Sequence, residues 1–386
     1  MSISLKNRDG QKIVIEKDPF GSGAEGNIHK IISPAKYKSY CAKLYKSDIS
    51  KIKDKENKIL FMSNNKPSQL EGGNYRFCWP EDVLYRSNIF VGFIMKLAFS
   101  DSVLAYELTL PKINKRLGYK WEKQYPRKGR ELEKRLKICT NITIAIHIIH
   151  NTEKYIFVDL KPQNMFITLD GKVSIIDCDS FQISDNNKVI FQAKFMTPEY
   201  SPIERENINP SNCFIPKSWD YFSCAVIFYQ IIFGIHPYTA SFIHPFDKEN
   251  EIHAKITKGL FVHGKNKKYI KVAPDLHRNY GVIPNSLKKL FLRAFEVSNN
   301  MPDVRPSTEE WGQTLTYLIL NQQANATFKS TKPRKPNKTS NDSIQPQVCN
   351  TNSNHSKNNS SNNDETWVTW MVWIIIIIII IYAFNK

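Results

Sequence analysis

None of the seven cysteines (Cys41, Cys78, Cys139, Cys178, Cys213, Cys224 and Cys349) belongs to a CxxC pair. The chain therefore offers no thiol metal clip, and the thiols read as reduced and cytosolic. No internal repeat is evident, which removes solenoids and propellers. No Lys-Ser/Thr pair follows the glycines of residues 21–26, which disfavours a P-loop NTPase. The opening residues lack the pattern of a signal peptide. Acidic residues are short: 36 Asp and Glu face 54 Lys and Arg, for a formal net charge of +18. Part of the excess lies in residues 111–137, where eleven Lys or Arg accompany three Glu. That segment reads as a solvated helix or as a docking surface for acidic substrates or anionic headgroups. No nucleic-acid-binding motif accompanies it, so nucleic acid is not expected as a partner.

What is present is a run of catalytic residue types in YIFVDLKPQNMFIT, followed by KVSIIDCDSFQI. Asp159, Lys161, Asn164 and Asp177 are spaced there as phosphoryl transfer requires: a carboxylate to orient a hydroxyl, a cation, and oxygen ligands for a hard metal ion. Between Asn164 and Asp177, MFITLDGKVSII reads as strand, Asp-Gly turn and strand, a hairpin that brings both ligands together. Upstream, Gly21, Ser22, Gly23, Ala24, Glu25, Gly26, Asn27 and Ile28 form a GxGxxGxI pattern. GxGxxG also opens dinucleotide folds, but there it leads into a helix, whereas NIHKIIS and Pro34 favour a strand that ends in a turn. The glycines fit a backbone that must approach phosphates closely.

In this order the motifs resemble the protein-kinase superfamily, of the Ser/Thr type, over residues 8–322. The resemblance implies a two-lobed α+β fold: a small β-rich lobe (8–96) and a larger helical lobe (97–322). It makes Gly21, Ser22, Gly23, Ala24, Glu25, Gly26 and Ile28 the loop over the ATP phosphates, and Lys43, in CAKLY, the lysine that meets them. Met95 and Leu97 become hinge residues whose backbone holds the adenine. Asp159 is the catalytic base, Lys161 neutralises charge on the transferring group, and Asn164 and Asp177 hold magnesium or manganese. In MTPEYSPIE, Thr197 faces the substrate hydroxyl and Glu204 closes the activation segment. Asp220 starts the buried helix of SWDYFSCAVIFYQIIFGIHPY, and Arg305 of PDVRPSTEEW pairs with Glu204. The implied activity is transfer of the γ-phosphoryl group of ATP to protein hydroxyls.

Departures from the family pattern accompany these matches. Phe157 and Val158 stand where the family has His-Arg, and Cys178 and Asp179 where it has Phe-Gly. The missing arginine puts activation through a segment phosphate in doubt. Asp179 could add a metal ligand, but a hydrogen bond to its own turn is the preferred reading. The DCDSF variant also resembles a bacterial lineage of membrane-linked Ser/Thr kinases. Lys43 needs a carboxylate from the next helix, and Glu56 is the candidate, with Asp54 its competitor. That helix is expected in SDISKIKDKENKILFM, capped by Ser47 or Asp48. QKIVIE, GNIHKIIS, YCAKLYK, YRFCWPEDVLY and NIFVGFIMKL read as small-lobe strands. His147 and His150 fit helix packing better than a metal site, and Ser307 with Glu310 forms a capping box.

Beyond the kinase-like region, residues 326–365 are polar, punctuated by proline and nearly free of large apolar groups, a disordered linker spanning on the order of 35 Å. Residues 367–384 carry no charge and include consecutive isoleucines from Ile374 to Ile381. As a helix they reach about 27 Å, close to the hydrocarbon thickness, and Trp367, Trp370 and Tyr382 suit the interfaces. A transmembrane anchor at 366–386 is expected, with a cytoplasmic kinase domain at the cell membrane. A nucleotide-binding pseudokinase serving as a membrane-tethered scaffold is the alternative.

Overall fold

The computed structural model describes residues 2–46, 48, 54–126, 132–209, 211–296 and 301–321. The beginning of the helix expected from Ser47, the linker, Cys349 and the apolar run 367–384 fall outside the described residues. None of the described helices is long and apolar enough to cross a membrane.

The first region is a sheet with one helix against it. Its strands are β1 (Ser2–Lys6), β2 (Lys12–Glu16), β3 (Gly21–Ser22), β4 (Gly26–Ser33) and β5 (Tyr40–Tyr45), and the helix is α1 (Lys55–Asn64). After α1 come β6 (Glu71–Gly72), β7 (Tyr75–Phe77), β8 (Pro80–Arg86) and β9 (Ile89–Lys96). Seven strands pair in the order β2-β1-β8-β9-β5-β4-β3. Side chains of β5 and β9 fill the space beneath α1: Cys41, Tyr45, Phe93 and Met95 cluster with Ile59 of the helix and Val83 of β8. Close approach of strands explains two glycines. A Cβ on Gly26 would strike the Leu44 carbonyl oxygen, and one on Gly92 the Lys43 carbonyl oxygen. At position 26, then, glycine serves strand packing, a requirement distinct from the phosphate contact expected there.

YRFCWPEDVLY does not form a single strand. β7 pairs in parallel with a strand of the second region, while β8 pairs with β9 and β1. The crossing is pinned by Trp79, whose fully buried ring donates its Nε1 proton to the Met62 carbonyl (2.9 Å). β1 was not foreseen, because its short alternation, SISLK, lies outside the runs rich in β-branched and aromatic residues.

The second region begins with β10 (Ser102–Leu104) and the long helix α2 (Leu132–His150), followed by β11 (Tyr155–Ile156), β12 (Met165–Thr168), β13 (Val173–Ile175), β14 (Gln182–Asp185) and β15 (Lys188–Phe191). Its other long helices are α3 (Lys217–Phe233), α4 (Asn285–Phe295) and α5 (Thr308–Leu320). α3 is apolar on every side and correspondingly buried over nearly its whole length, the behaviour of a central helix. It stops at Gly234, whose φ of 74° is the left-handed geometry of a helix C-terminus. Aromatic rings join α3 to α4 and α5: Trp311 meets Phe228 edge to face and Phe291 at a tilt. The capping box of α5 forms as expected: the Glu310 amide donates to Ser307 Oγ (3.2 Å) and the Ser307 amide to Glu310 Oε2 (2.9 Å).

Candidate active site

The loop after β11 owes its shape to Asp220, a wholly buried carboxylate on α3. It accepts from the backbone amides of Phe157 and Val158, both at 2.9 Å, and lies 2.8 Å from His150 Nε2. With these bonds Val158 is held at a φ of 63°, a region that β-branched residues avoid. His150, read from the sequence as packing, is thus part of the scaffold. Phe157, in the position of the missing histidine, packs its ring 4.3 Å from that of Phe181.

The turn delivers Asp159 to the front of the loop. Its Oδ1 accepts from the Thr197 hydroxyl (2.7 Å) and its Oδ2 from Lys161 Nζ (2.6 Å), while Lys161 also reaches Thr197 Oγ1 (2.9 Å). Carboxylate, amine and hydroxyl close a triangle, each touching the other two. Asn164 donates through Nδ2 to the Asp159 carbonyl (3.0 Å). Glu204 receives Arg305 Nη2 on both oxygens (2.6 and 2.8 Å), and Arg305 Nη1 donates to the Ser218 carbonyl (3.1 Å). That buried guanidinium ties the end of the activation segment to the start of α3.

β12 and β13 form the expected antiparallel hairpin, with Met165 opposite Ile175 and a turn at Gly171, φ 90°. It carries Asn164 and Asp177 on its two ends, and the Ile176 amide bonds the Asn164 carbonyl (2.9 Å). Asp177 adopts a φ of 62°, which turns the chain so that Asp179 points inward.

Lys43, on β5, is where the structure departs from the expected pairing. Its ammonium lies 2.7 Å from Asp177 Oδ1, 2.8 and 3.0 Å from the two oxygens of Asp179, and 3.8 Å from Glu25. Glu56 takes no part: its Oε1 accepts from the Tyr85 hydroxyl (2.6 Å). The residue that α1 does send to this cluster is Lys55, one position earlier, 2.9 Å from Glu25 and 3.3 Å from Asp179. Asp54, at the first turn of α1 with a φ of 69°, does not reach Lys43 either. Nor does Asp179 bond its own turn; it is fully buried and also accepts from the Tyr45 hydroxyl (2.6 Å). Burial by itself would lower the Lys43 pKa, but Asp179, Asp177 and Glu25 outweigh it and hold the amine above its usual value. Burial would raise the Asp179 pKa, and Lys43 and Lys55 reverse that and keep the carboxyl well below the ordinary range. Sequence reasoning singled out Asp179 but gave it to its own turn, and it missed Tyr45 and Lys55; the signal available was an aspartate in a position where a turn residue suffices.

Above this cluster, β3 and β4 make a hairpin with Gly21 opposite Ile28 and Ser22 opposite Asn27, and the Ser22 hydroxyl donates to Asn27 Oδ1 (2.8 Å). The Gly23 amide bonds the Gly26 carbonyl (2.9 Å), which leaves Ala24 and Glu25 at the tip. Gly26 opens a strand, as expected. Ile28 packs at the edge of the cluster beneath the sheet, where Met95 is buried and Leu97 half-buried. The Leu97 amide donates to Ser39 (3.0 Å) and its carbonyl accepts from Arg76 (3.1 Å), so both backbone groups expected to face adenine already have protein partners.

Asn164 and Asp177 suit a hard divalent ion. Nδ2 of Asn164 is engaged and turns its amide oxygen outward from that bond; Asp177 uses Oδ1 for Lys43, and its side chain keeps about a third of its surface exposed (32 %). Two such oxygens are the donors magnesium prefers. Oxygens of Glu25, Asp177 and Asp179 also lie within 4.8 Å of one another, but there the Lys43 ammonium already supplies the positive charge.

Residues 115–313, more than half of the chain, match the family model described as protein kinase domain. The chain belongs to the protein kinase family. Over 305 residues this kinase is 23% identical to "Protein kinase YegI" of Escherichia coli (strain K12), a match that spans 77% of this chain and 43% of that protein. The same comparison with "Protein kinase YegI" of Escherichia coli O157:H7 covers 44% of it. "Citron Rho-interacting kinase" of Mus musculus is 26% identical over 106 residues, a quarter of this chain (25%) and 5% of that protein. The kinase therefore spans less than half the length of the curated relatives it matches. A β-rich first region and a helical second region fit the two-lobed fold of the family, which in general uses ATP and a divalent metal.

Proposed function

We infer that this kinase transfers the γ-phosphoryl group of ATP to serine and threonine hydroxyls of protein substrates while tethered to a membrane by residues 367–384. The observation that carries the chemistry is the triangle of Asp159, Lys161 and Thr197. In it the carboxylate already accepts a hydrogen bond from an aliphatic hydroxyl at 2.7 Å, the geometry a substrate alcohol needs. The acceptor oxygen forms a bond to the γ-phosphorus as the bond to the bridging oxygen breaks, its proton passes to Asp159, and ADP leaves with the electron pair. Lys161, 2.6 Å from Asp159, is placed to offset charge on the transferring group. A divalent ion held by Asn164 and Asp177 would neutralise charge on the phosphates. Tethering is supported by the uncharged composition of 367–384 and the polar linker before it.

The test is incubation of the full chain with labelled ATP and magnesium, then amino-acid analysis of labelled protein. Label on serine or threonine, lost in Asp159→Asn and Asp177→Asn, supports the reading; label on tyrosine alone removes the Ser/Thr assignment, and nucleotide binding without transfer returns the scaffold alternative. For the tether, a paired Ile377→Arg and Ile378→Arg substitution should move the chain from the membrane fraction to the supernatant.

A further inference from the structure

The cluster at Lys43 brings together four elements: β5, α1, the tip of the β3–β4 hairpin and the turn after β13. Its charges are arranged in an order opposite to the one expected from the family. The helix contributes an ammonium, Lys55, with 6% of its side chain exposed, and the carboxylate comes from the turn. Asp179 accepts from Lys43 on both oxygens, from Tyr45, and faces Lys55 at 3.3 Å. Lys55 reaches past it to Glu25 at the phosphate-loop tip (2.9 Å), and its amine lies 4.7 Å from the centre of the Tyr45 ring.

We propose that Asp179 is the positioning residue for Lys43, in the role expected of Glu56, and that Lys55 couples helix α1 to the phosphate loop through Glu25. This rests on the kinase reading and deepens it. Because the carboxylate belongs to the catalytic region and not to the helix, displacement of α1 leaves Lys43 held and frees Glu25 instead. The helix thus governs the loop over the phosphates, and the turn governs the lysine beneath them. Charge-assisted hydrogen bonds in a dry site are the strongest available to fix an ammonium. A side chain acting only through Lys43 should alter nucleotide handling before it alters anything else.

The experiment measures, on the full chain with magnesium, the affinity for a fluorescent ATP analogue and the KM for ATP. Variants are Asp179→Asn, Tyr45→Phe, Lys55→Met, Lys55→Arg and Glu56→Gln. Asp179→Asn is expected to weaken nucleotide affinity and raise KM about tenfold, as loss of one charge-assisted bond predicts. Tyr45→Phe should raise KM about threefold, Lys55→Met should act similarly with recovery in Lys55→Arg, and Glu56→Gln should leave KM unchanged. A merely structural Asp179 would lower the melting temperature and leave KM in place, which overturns the proposal. So does loss of nucleotide affinity in Glu56→Gln with Tyr45→Phe unaffected, a pair that decides the matter even if Asp179→Asn fails to fold. Binding is read without any acceptor, so a chain that binds nucleotide but transfers nothing sinks the kinase reading while Asp179 is still tested.

Discussion

The two ends of the active site are held by different physics. At the catalytic loop, one buried carboxylate bonds two backbone amides, and the reactive side chains then meet neighbours close in sequence, Asp159 with Lys161 and Asn164. At the lysine end, two ammoniums and three carboxylates converge, with bonded partners up to 136 residues apart and with Asp179 and Lys55 removed from water. The first arrangement is shaped by bonds between Asp220 and backbone amides, in which the reactive side chains take no part. The second exists only while its charges balance, since an unpaired ion in that interior costs several kcal/mol.

If that contrast holds, Asp159→Asn should cost about a thousandfold in phosphoryl transfer, with the melting temperature unchanged, because the Asp220 bonds that shape the loop remain. A parallel drop in melting temperature would show that the two functions are not separable. Arg305→Ala should destabilise by about 3 kcal/mol in denaturant unfolding, because it strands Glu204 and empties a buried site linking the activation segment to α3. A loss under 1 kcal/mol would mean that this end, too, is held mainly by backbone bonds.

The smallest effect concerns Lys58, buried beside Lys55, where burial first and then the Lys55 charge lower its amine from 10.5 to about 7 against the opposing pull of Asp179 and Glu25. Between those two values the unfolded chain binds more protons than the folded one, so the Lys58 contribution to stability rises with pH across that window. Lys58→Met should therefore stabilise by on the order of 2 kcal/mol near pH 6, with the gain shrinking toward pH 10. Unfolding of both proteins across that range reads it, and a gain independent of pH would mean that the amine keeps its proton in the fold.

The same contrast explains what the sequence made legible. Asp159, Lys161, Asn164 and Asp177 lie within one loop and one hairpin, so their spacing nearly dictates their geometry. Glu204 with Arg305, though far apart, was visible only through the family resemblance. Lys43 was visible, but its partner was not. Glu56 sits at a reasonable spacing, and nothing in a linear string reveals that Lys55, one residue earlier, faces the cluster while Glu56 turns to Tyr85. A helix rotates about 100° per residue, so a one-position error moves a side chain to another face. The strand split at Cys78 and Trp79 was hidden for a related reason, since its apolar pattern is continuous although its two halves join different sheets.

That split has a mechanical consequence. β7 lies in the sheet of the second region and β8 in the sheet of the first, joined through two residues, and the Cys78 amide donates to the Ile175 carbonyl (2.8 Å). A second crossing runs through residues 97–99, where the Phe99 amide bonds Ser174 Oγ (2.9 Å). The two regions are thus laced by backbone at two bonded crossings, and the Lys43 and Lys55 pairs with Asp179, together with the Tyr155 hydroxyl on the Asn65 carbonyl (2.7 Å), add side-chain ties that any relative movement of the regions has to break or carry along.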